Sequence, residues 1–334
     1  MKIIRKKKHS VFHKIPSYRP GIIKERKKFV LLGAAGFVAP RHMKAIKDIG
    51  GNLVAIMDPS DSVGVVDSYF PEAKYFSQFE RFDRYCSKRD DIDYVSICSP
   101  NHLHIEQCAF AMDIGADAIC EKPLCLYEKH IKRLLVREQQ TGKRIWNISQ
   151  LRLGGAVEYL KTLDFSDIKS VNLHYSTPRG SWYNESWKGN TKFSGGLTTA
   201  IGIHLFDILL YLFGTEYEIV NWDTTPDFCC GNIKINGIHV HIELSIKLDN
   251  KSQRILIIDE QEIELSKGFT DLHTLSYQNI LDGKGIGIAD VSPAVILCEK
   301  LININHHRGK RMKLKEAIIE IENRAKDTED SAKR

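Results

Sequence analysis

The chain has 334 residues, more than one hydrophobic core usually holds, so two domains are expected. Hydrophobic residues make up 43% and charged residues 27%, and no apolar run approaches the roughly 20 residues that cross a bilayer. This composition predicts a soluble, cytoplasmic protein with no membrane association.

The formal net charge of +6 comes from one end of the chain. Residues 1–28 contain eleven Lys/Arg and one Glu, which leaves a net charge of −4 on the remaining residues. A mildly acidic body with no basic, aromatic-rich helix makes nucleic acid an unexpected partner. The basic arm is interpreted as a disordered extension or an over-long start, with nucleic-acid binding, a membrane surface and a transit signal as alternatives.

From residue 29 to residue 150, short apolar segments alternate with helical ones. The strand-like segments are FVLLG, NLVAIMD, DYVSICSP, DAIC and RIWNISQ, and helices are expected near Pro40, within HIEQCAFAMDIG and from Glu128 to Gln140. Uniformly apolar strands separated by helices are typical of a parallel sheet covered on both faces. We therefore expect an α/β fold that begins with a dinucleotide-binding Rossmann domain over residues 29–150.

Past residue 150 the pattern changes to alternating polar and apolar residues. Segments such as IKSVNLHYS, EIVNWDTT, NIKINGIHVHIELSIKL, QRILIID and QEIELS carry turn signals such as Asn236-Gly237. This pattern is typical of a largely antiparallel sheet with one solvated face. It predicts an α+β domain with an open sheet over residues 151–310, followed by a charged tail over residues 311–334.

The eight cysteines form no CxxC pair and mostly lie in apolar runs, as expected of reduced cytosolic thiols. The pairs His102/His104 and His239/His241 could each ligate a metal on one strand face. No cysteine or carboxylate cluster stands beside them in the sequence, so no metal site is expected.

The segment FVLLGAAGFVAPRHMKAI places Gly33, Gly36 and Ala39 at a strand-to-helix turn. Small residues there let the backbone approach a pyrophosphate, whose charge the helix N-terminus stabilises. The spacing G-x-x-G-x-x-A departs from G-x-G-x-x-G, so a simple tight turn is the alternative. Asp58 ends the second strand, 22 residues beyond Gly36, where a carboxylate accepts from ribose hydroxyls and repels a 2′-phosphate. The sequence therefore favours NAD over NADP.

Two further strands end in polar residues at the same predicted sheet edge. The segment DYVSICSP runs into NHLH, which contains Asn101 and His104, and the segment DAIC is followed by Glu121-Lys122-Pro123. Open α/β folds bind their ligands at this edge. A lysine there can hold a substrate hydroxyl or adjust a proton acceptor, whereas Asn101 could be a turn residue and His104 a surface imidazole.

The segment SGGLTTAIGIHLFDILLYLFG contains an apolar helix whose first turns carry His204 and Asp207. A single histidine on an apolar helix is more often a core residue than a catalyst. From the residues alone, a general base and a structural histidine both stay open for His204.

The dinucleotide turn, SPNHLH, CEKPL and GGLTTAIGIHLFD, in this order, resemble the Gfo/Idh/MocA oxidoreductase family over nearly the whole chain after the basic arm. Longer segments, including GAAGFVAPRHMKAIKD, GADAICEKPL, RGSWYNESWKG and GFTDLHTLSYQNILDGKGIGI, resemble the UDP-N-acetylglucosaminuronate 3-dehydrogenases of bacterial O-antigen and other lipopolysaccharide or polysaccharide biosynthesis. The resemblance implies a catalytic pair, Lys122 and His204, with His204 as general base and Lys122 holding the sugar hydroxyl, and a cis Lys122-Pro123 peptide.

The resemblance also implies two sets of binding residues. The NAD-binding set is Gly33, Ala35, Gly36, Phe37, Val38, Asp58, Ser99, Asn101, His104, Glu121 and Lys122. The substrate set, chosen because a UDP-sugar uronate is anionic at both diphosphate and carboxylate, is Gln150, Arg152, Arg179, Trp182, Tyr183, Trp187, Lys188, His204, Thr270 and His273. The alternative for the loop residues in this set is packing over the sheet.

Two departures from the family pattern stand out. Ala200 occupies the position four residues before the catalytic His where the family has Asp or Asn, and Gly154-Gly155 replaces a His-Pro-like pair.

The leading hypothesis is C3 oxidation of the UDP-sugar, which hands a 3-keto product to a PLP-dependent aminotransferase. A 2-oxo acid that reoxidises bound NADH is a further possible partner. The resemblance also implies that the domain over residues 151–310 binds substrate and forms a homo-oligomer (dimer or tetramer) through the open face of its sheet. The alternatives are a family dehydrogenase for another sugar or inositol, and a catalytically silent dinucleotide-binding sensor or scaffold.

Overall fold

The computed structural model describes residues 26–248, 251–265 and 271–304. The basic arm before residue 26, Thr270 and the charged tail over residues 311–334 lie outside the described residues, so the expectations for them stay predictions.

The first sheet has six parallel strands in the order β3-β2-β1-β4-β5-β6. Helices separate most of the strands, as the long connections between parallel strands require. The elements, in chain order, are β1 (Lys28–Leu32), α1 (Ala39–Asp48), β2 (Asn52–Met57), β3 (Lys74–Phe76), α2 (Phe79–Cys86), β4 (Tyr94–Ile97), α3 (His104–Asp113), β5 (Asp117–Glu121), α4 (Glu128–Thr141) and β6 (Ile145–Ile148).

The second sheet also has six strands, in the order β12-β11-β7-β10-β9-β8. The pair β7 and β10 is parallel and the other four pairs are antiparallel, which confirms the predicted largely antiparallel sheet. The elements are α5 (Gly155–Leu160), β7 (Ser170–Ser176), α6 (Trp182–Glu185), α7 (Thr191–Ser194), α8 (Gly196–Ala200), α9 (Gly202–Phe213), β8 (Tyr217–Thr224), β9 (Phe228–Ile235), β10 (Ile238–Ser245), β11 (Gln253–Ile258), β12 (Gln261–Glu264) and α10 (Leu272–Leu281).

The hairpin between β9 and β10 turns at the predicted Asn236-Gly237 pair. Both residues have positive φ, 46° and 84°, which is the geometry of the two-residue turn that suits antiparallel strands. One face of this sheet packs on α9, whose Phe206 lies against the buried Trp222 of β8 with ring centroids 5.6 Å apart. The apolar segment that contains His204 is therefore the helix that covers the second sheet.

The end of the described chain returns to the first domain. Helix α10 belongs to the stretch that the sequence assigned to the second domain, yet its Tyr277 and Ile280 lie in the same core cluster as Phe29 and Met43 of the Rossmann sheet and α1. A last helix, α11 (288–304), follows, and its Glu299 accepts a hydrogen bond from the backbone N–H of Glu128 at the start of α4. The first domain is thus completed by residues from the far end of the chain.

Among residues 26–248, 251–265 and 271–304, no single helix is long and apolar enough to span a membrane. The bent pair Thr191–Ala200 and Gly202–Phe213 meets that criterion only when the two segments are taken together, by length and composition.

Candidate active site

A cavity of about 910 Å³ lies where the carboxyl ends of the parallel strands face the second domain. All eleven residues of the predicted NAD-binding set line it, and so do seven of the ten predicted substrate residues. The cavity therefore brings together the motifs that the sequence places more than 200 residues apart, from Gly33 to His273.

The turn between β1 and α1 is shaped for close approach of a ligand. Gly33 has φ of +84°, and a Cβ atom there would lie 2.6 Å from the backbone of Cys98 and Ser99. Asp58 follows β2, and its carboxylate accepts from the backbone N–H groups of Ala35 and Ser60, at 2.9 Å each. This glycine cradle with a fixed carboxylate beside it fits the diphosphate and ribose of a dinucleotide.

The loop after β4 and the loop after β5 are joined at the cavity. The buried imidazole of His104 lies 2.7 Å from the carbonyl oxygen of Pro123 and 2.9 Å from that of Ser99. Asn101 donates from Nδ2 to the carbonyl oxygen of Ser194, which links this edge to the second domain. The predicted cis peptide between Lys122 and Pro123 is confirmed.

Lys122 and His204 enter the cavity from different domains, at the end of β5 and in the first turn of α9. Lys122 donates from Nζ to the carbonyl oxygen of Ala200 at 3.2 Å. Burial lowers the pKa of Lys122; the Glu121 carboxylate opposes this shift, and Lys188 and Arg179 add to it. Burial, reinforced by the charge of Lys122, holds the pKa of His204 well below its ordinary value. The His204 imidazole is therefore neutral, so one of its two ring nitrogens carries no proton.

Ala200 contacts Lys122 through its backbone carbonyl. An alanine side chain has no polar atom, so residue 200 offers Lys122 no side-chain hydrogen bond. Lys122 is instead held by the main chain at that same residue.

Cations and aromatic rings surround the substrate end of the cavity. The lining includes Arg179, Tyr183, Trp187 and Lys188, and the Lys188 ammonium lies 4.7 Å from the ring centre of Trp187. Gln150 Oε1 and Tyr183 Oη are buried, and each has no hydrogen-bond partner among the described residues. Buried polar atoms without partners are costly, so they indicate where a ligand would form hydrogen bonds.

The structure adds residues that the sequence did not predict. Arg254 on β11 and Tyr175 on β7 line the cavity, with the guanidinium 5.5 Å from the ring centre. Arg41 lines the cofactor end, over the ring of Phe37. No local motif marks these positions; the pairing of Arg254 with Tyr175 between β11 and β7 brings the two together.

Three predicted substrate residues are not placed in the cavity. Arg152 forms a buried bidentate ion pair with Asp207, at 2.8 and 2.6 Å, and also donates to the carbonyl oxygen of Asp290. These contacts account for its burial without a substrate. Trp182 is 53% exposed and lies outside the lining, although Lys188 reaches its ring, and Thr270 lies outside the described residues.

Glu121, the residue before Lys122, belongs to a buried cluster. His42 Nε2 lies 3.0 Å from Glu121 Oε1, and His273 Nε2 lies 3.1 Å from the same oxygen. In the described part of the chain, these three residues also have the spacing of a possible metal site. The two hydrogen bonds from the imidazoles to the carboxylate explain the spacing, and the expectation of no metal stays a prediction.

Comparison with known proteins agrees with this geometry. A family model described as "Oxidoreductase family, NAD-binding Rossmann fold" (GFO_IDH_MocA) matches residues 27–149, and the family's "C-terminal alpha/beta domain" model matches residues 158–222. The NAD prediction is thereby confirmed.

Among solved structures, the chain resembles the WlbA (WbpB) dehydrogenase from Thermus thermophilus. The complex of that protein with NAD and alpha-ketoglutarate is 40% identical, with a TM-score of 0.78, covering 83% of this chain and 94% of that one. The complex with NAD and UDP-GlcNAcA is 39% identical, with a TM-score of 0.77 and the same coverage.

Among curated proteins, the chain is 25% identical over 192 residues to an inositol 2-dehydrogenase from Salmonella typhimurium. That match covers 55% of this chain and 54% of the relative, so the chain spans about half the length of this curated relative. A glucose-6-phosphate 3-dehydrogenase from Bacillus subtilis matches at 25% identity, over 57% of this chain and 55% of the relative. With both family models matched in order and the solved relative matched over nearly its whole length, the chain belongs to the Gfo/Idh/MocA oxidoreductase family.

Proposed function

We propose that this protein is an NAD-dependent dehydrogenase that oxidises the C3 hydroxyl of UDP-N-acetylglucosaminuronate to the 3-keto sugar in bacterial surface polysaccharide biosynthesis. The observation that carries the proposal is the convergence of Lys122 and His204 on one cavity, between the dinucleotide turn and a cationic wall. The complex of the 39% identical Thermus relative with UDP-GlcNAcA supports the choice of sugar.

NAD, when bound, supplies the acceptor for the hydride that leaves the sugar carbon. His204 accepts the proton of the hydroxyl, because one ring nitrogen of its neutral imidazole carries no proton. Lys122 donates hydrogen bonds to the same oxygen and stabilises the negative charge that develops as the proton leaves. The carbonyl oxygen of Ala200 fixes the Lys122 ammonium for this task.

The charge of the lining favours an anionic substrate. The substrate end is lined by three cationic side chains, those of Arg179, Lys188 and Arg254. Among the described residues that line this end, Glu121 is the one carboxylate, and its Oε1 already accepts hydrogen bonds from two imidazoles. A UDP-sugar uronate carries negative charge at both the diphosphate and the carboxylate. Cationic and aromatic side chains together can bind such a molecule at both ends.

The proposal includes three partners. A PLP-dependent aminotransferase is the kind of enzyme that consumes a 3-keto sugar. A 2-oxo acid could reoxidise NADH in place, a role supported by the complex of the Thermus relative with NAD and alpha-ketoglutarate. A second copy of the chain is proposed to dock on the open face of the second sheet, where Val220 of β8 is 52% exposed.

The test incubates the purified protein with NAD and one of four compounds: UDP-GlcNAcA, UDP-GlcNAc, myo-inositol or glucose 6-phosphate. We expect NADH absorbance to appear with UDP-GlcNAcA, mass spectrometry to show a sugar lighter by two hydrogens, and added 2-oxoglutarate to sustain turnover. Oxidation of inositol or glucose 6-phosphate in preference to the nucleotide sugar would replace the proposed substrate. NAD binding without oxidation of any of the four would favour the silent scaffold, the reading that Ala200 suggests.

A further inference from the structure

The hydrogen bonds around Glu121 continue beyond the two imidazoles. His42 Nδ1 lies 2.7 Å from the hydroxyl of Tyr277, and that hydroxyl lies 2.7 Å from Ser96 Oγ. All five residues of this cluster are buried: Ser96, Glu121 and His42, together with His273 and Tyr277 of α10. The cluster joins α1, β4, β5 and α10, so residues from both ends of the chain meet at one carboxylate.

The partners fix the protonation of His42. Burial lowers the pKa of His42, which leaves the imidazole neutral with one N–H. Glu121 can only accept, because hydrogen bonds from both imidazoles hold its pKa well below the ordinary value despite its burial. His42 therefore donates from Nε2 and accepts at Nδ1 from the Tyr277 hydroxyl, which in turn accepts from Ser96.

We propose that His42 is a positioning residue for Lys122. The hydrogen bond from His42 holds Glu121 as a fixed anion beside the catalytic lysine. The hydroxyl groups of Tyr277 and Ser96 hold His42 in the tautomer that donates from Nε2 to Glu121. Glu121 Oε2 accepts from the backbone N–H of Lys122 at 3.3 Å, so the carboxylate and the lysine share one rigid strand end. The inference rests on the role proposed above for Lys122, and it assigns a function to a residue of α1 that does not line the cavity.

The fixed charge of Glu121 acts on both catalytic groups. It raises the pKa of Lys122 and that of His204, against the burial that lowers both. The positive charges of Arg179 and Lys188 lower the pKa of Lys122. The positive charge of Lys122 in turn lowers the pKa of His204. The other titratable groups that face Glu121 are His42, Cys98, His104, Cys120, His273 and Tyr277.

Removal of the His42 donor should change the pKa values of Glu121, Lys122 and His204 in defined directions. Glu121 keeps the His273 donor and the backbone N–H of Lys122, but with one donor fewer its burial weighs more heavily against the charge, so the pKa of Glu121 rises. Weakening of the Glu121 charge lowers the pKa of Lys122 and that of His204, because this charge raises both. Catalysis needs Lys122 charged and His204 neutral, so the falling alkaline limb and the rising acid limb of the rate profile both move to lower pH.

The primary test measures the pKa of Lys122 without any sugar. The NAD-bound protein is labelled with a trace of acetic anhydride between pH 6 and 11, and peptide mass spectrometry follows modification of Lys122. We expect His42→Leu to lower the apparent pKa of Lys122 by about one unit or more, the usual effect of losing a nearby opposite charge. His42→Gln, which keeps an N–H donor toward Glu121, should restore most of the parental value.

The matched control is Thr274→Val. Thr274 Oγ1 donates to Asp48 Oδ2 at 2.7 Å, so this nearly isosteric change loosens the same α1–α10 contact without touching Glu121. It should leave the Lys122 pKa unchanged. If His42→Leu does not fold, Tyr277→Phe takes its place, since it removes the donor to His42 Nδ1 and should shift the pKa in the same direction by less.

The outcomes separate this inference from the proposed function. An unchanged Lys122 pKa in His42→Leu, or an equal shift in Thr274→Val, overturns the positioning role even if the parent oxidises UDP-GlcNAcA. If His42→Leu shifts the Lys122 pKa while the parent protein oxidises no nucleotide sugar, the positioning role is supported and the proposed substrate is ruled out. In a parent that does oxidise UDP-GlcNAcA, His42→Leu should also move both limbs of the kcat profile to lower pH.

Discussion

The cofactor end of the cavity is lined by short runs of neighbouring residues, whereas the substrate end is lined by residues from many separate segments. Gly33 to Val38 and Ser99 to His104 account for much of the cofactor end. The substrate end takes Gln150, Arg254 and His273 from three distant parts of the fold. The first end is set by backbone geometry that tolerates little change, as the contact of a Cβ at Gly33 with Cys98 shows. The second depends on how the second domain and α10 pack against the first domain.

The largest expected effect tests whether that packing depends on the buried pair Arg152–Asp207. Arg152→Leu leaves the Asp207 carboxylate buried without its partner, which should lower the free energy of unfolding by about 3–5 kcal/mol. Urea titration followed by tryptophan fluorescence measures the loss. The double variant Arg152→Leu/Asp207→Leu should recover much of it, because two apolar residues can replace a buried ion pair. A stable single variant with reduced affinity for the sugar would instead return Arg152 to the substrate set.

The next effect concerns chemistry at the junction of the two ends. Lys122→Met and His204→Asn should each slow hydride transfer by about a hundredfold or more, the usual contribution of a positioned acid–base group. Single-turnover stopped-flow with saturating NAD measures the rate, and calorimetry should show nearly unchanged NAD affinity. If His204 is a structural histidine, its variant will lose stability while the rate per folded molecule stays parental.

Arg254 tests whether the substrate end selects for a carboxylate. Arg254→Leu should reduce kcat/KM for UDP-GlcNAcA by more than about tenfold, or more than about 1.4 kcal/mol, as expected when a charge-assisted hydrogen bond is lost. The value for UDP-GlcNAc should change much less. Arg133→Leu, which removes an exposed guanidinium paired with Glu106 on the outer helices, is the matched control. Equal losses on both sugars would show that Arg254 holds another part of the nucleotide or only packs against Tyr175.

The same contrast explains how much the sequence could predict. Five of the six strands of the first sheet, the helices α1 and α4, the hairpin at Asn236-Gly237 and the cavity position of all eleven residues in the predicted NAD-binding set follow from local patterns and motif resemblance. The short edge strand β3 has only three residues, too few for a periodic pattern, and was not predicted. Arg254 and His42 were missed because strand pairing and the packing of α10 on α1 give them their neighbours. Arg152 was assigned to the substrate because its ion pair with Asp207, 55 residues away, leaves no trace in the local sequence.

The smallest expected effect concerns the preference for NAD over NADP at the cofactor end of the cavity. We expect NAD to bind at least about tenfold more tightly than NADP, a difference of roughly 1.4 kcal/mol, because the Asp58 carboxylate accepts from ribose hydroxyls and repels a 2′-phosphate. Backbone N–H groups of Ala35 and Ser60 hold this carboxylate in place, so Asp58→Asn should keep the turn and remove the charge. Calorimetry on the parent and on Asp58→Asn should show the preference shrink, mainly through tighter NADP binding. Arg41 also lines this end, and its guanidinium could favour a phosphate. Equal dissociation constants for the two cofactors in the parent would mean that Arg41 outweighs Asp58.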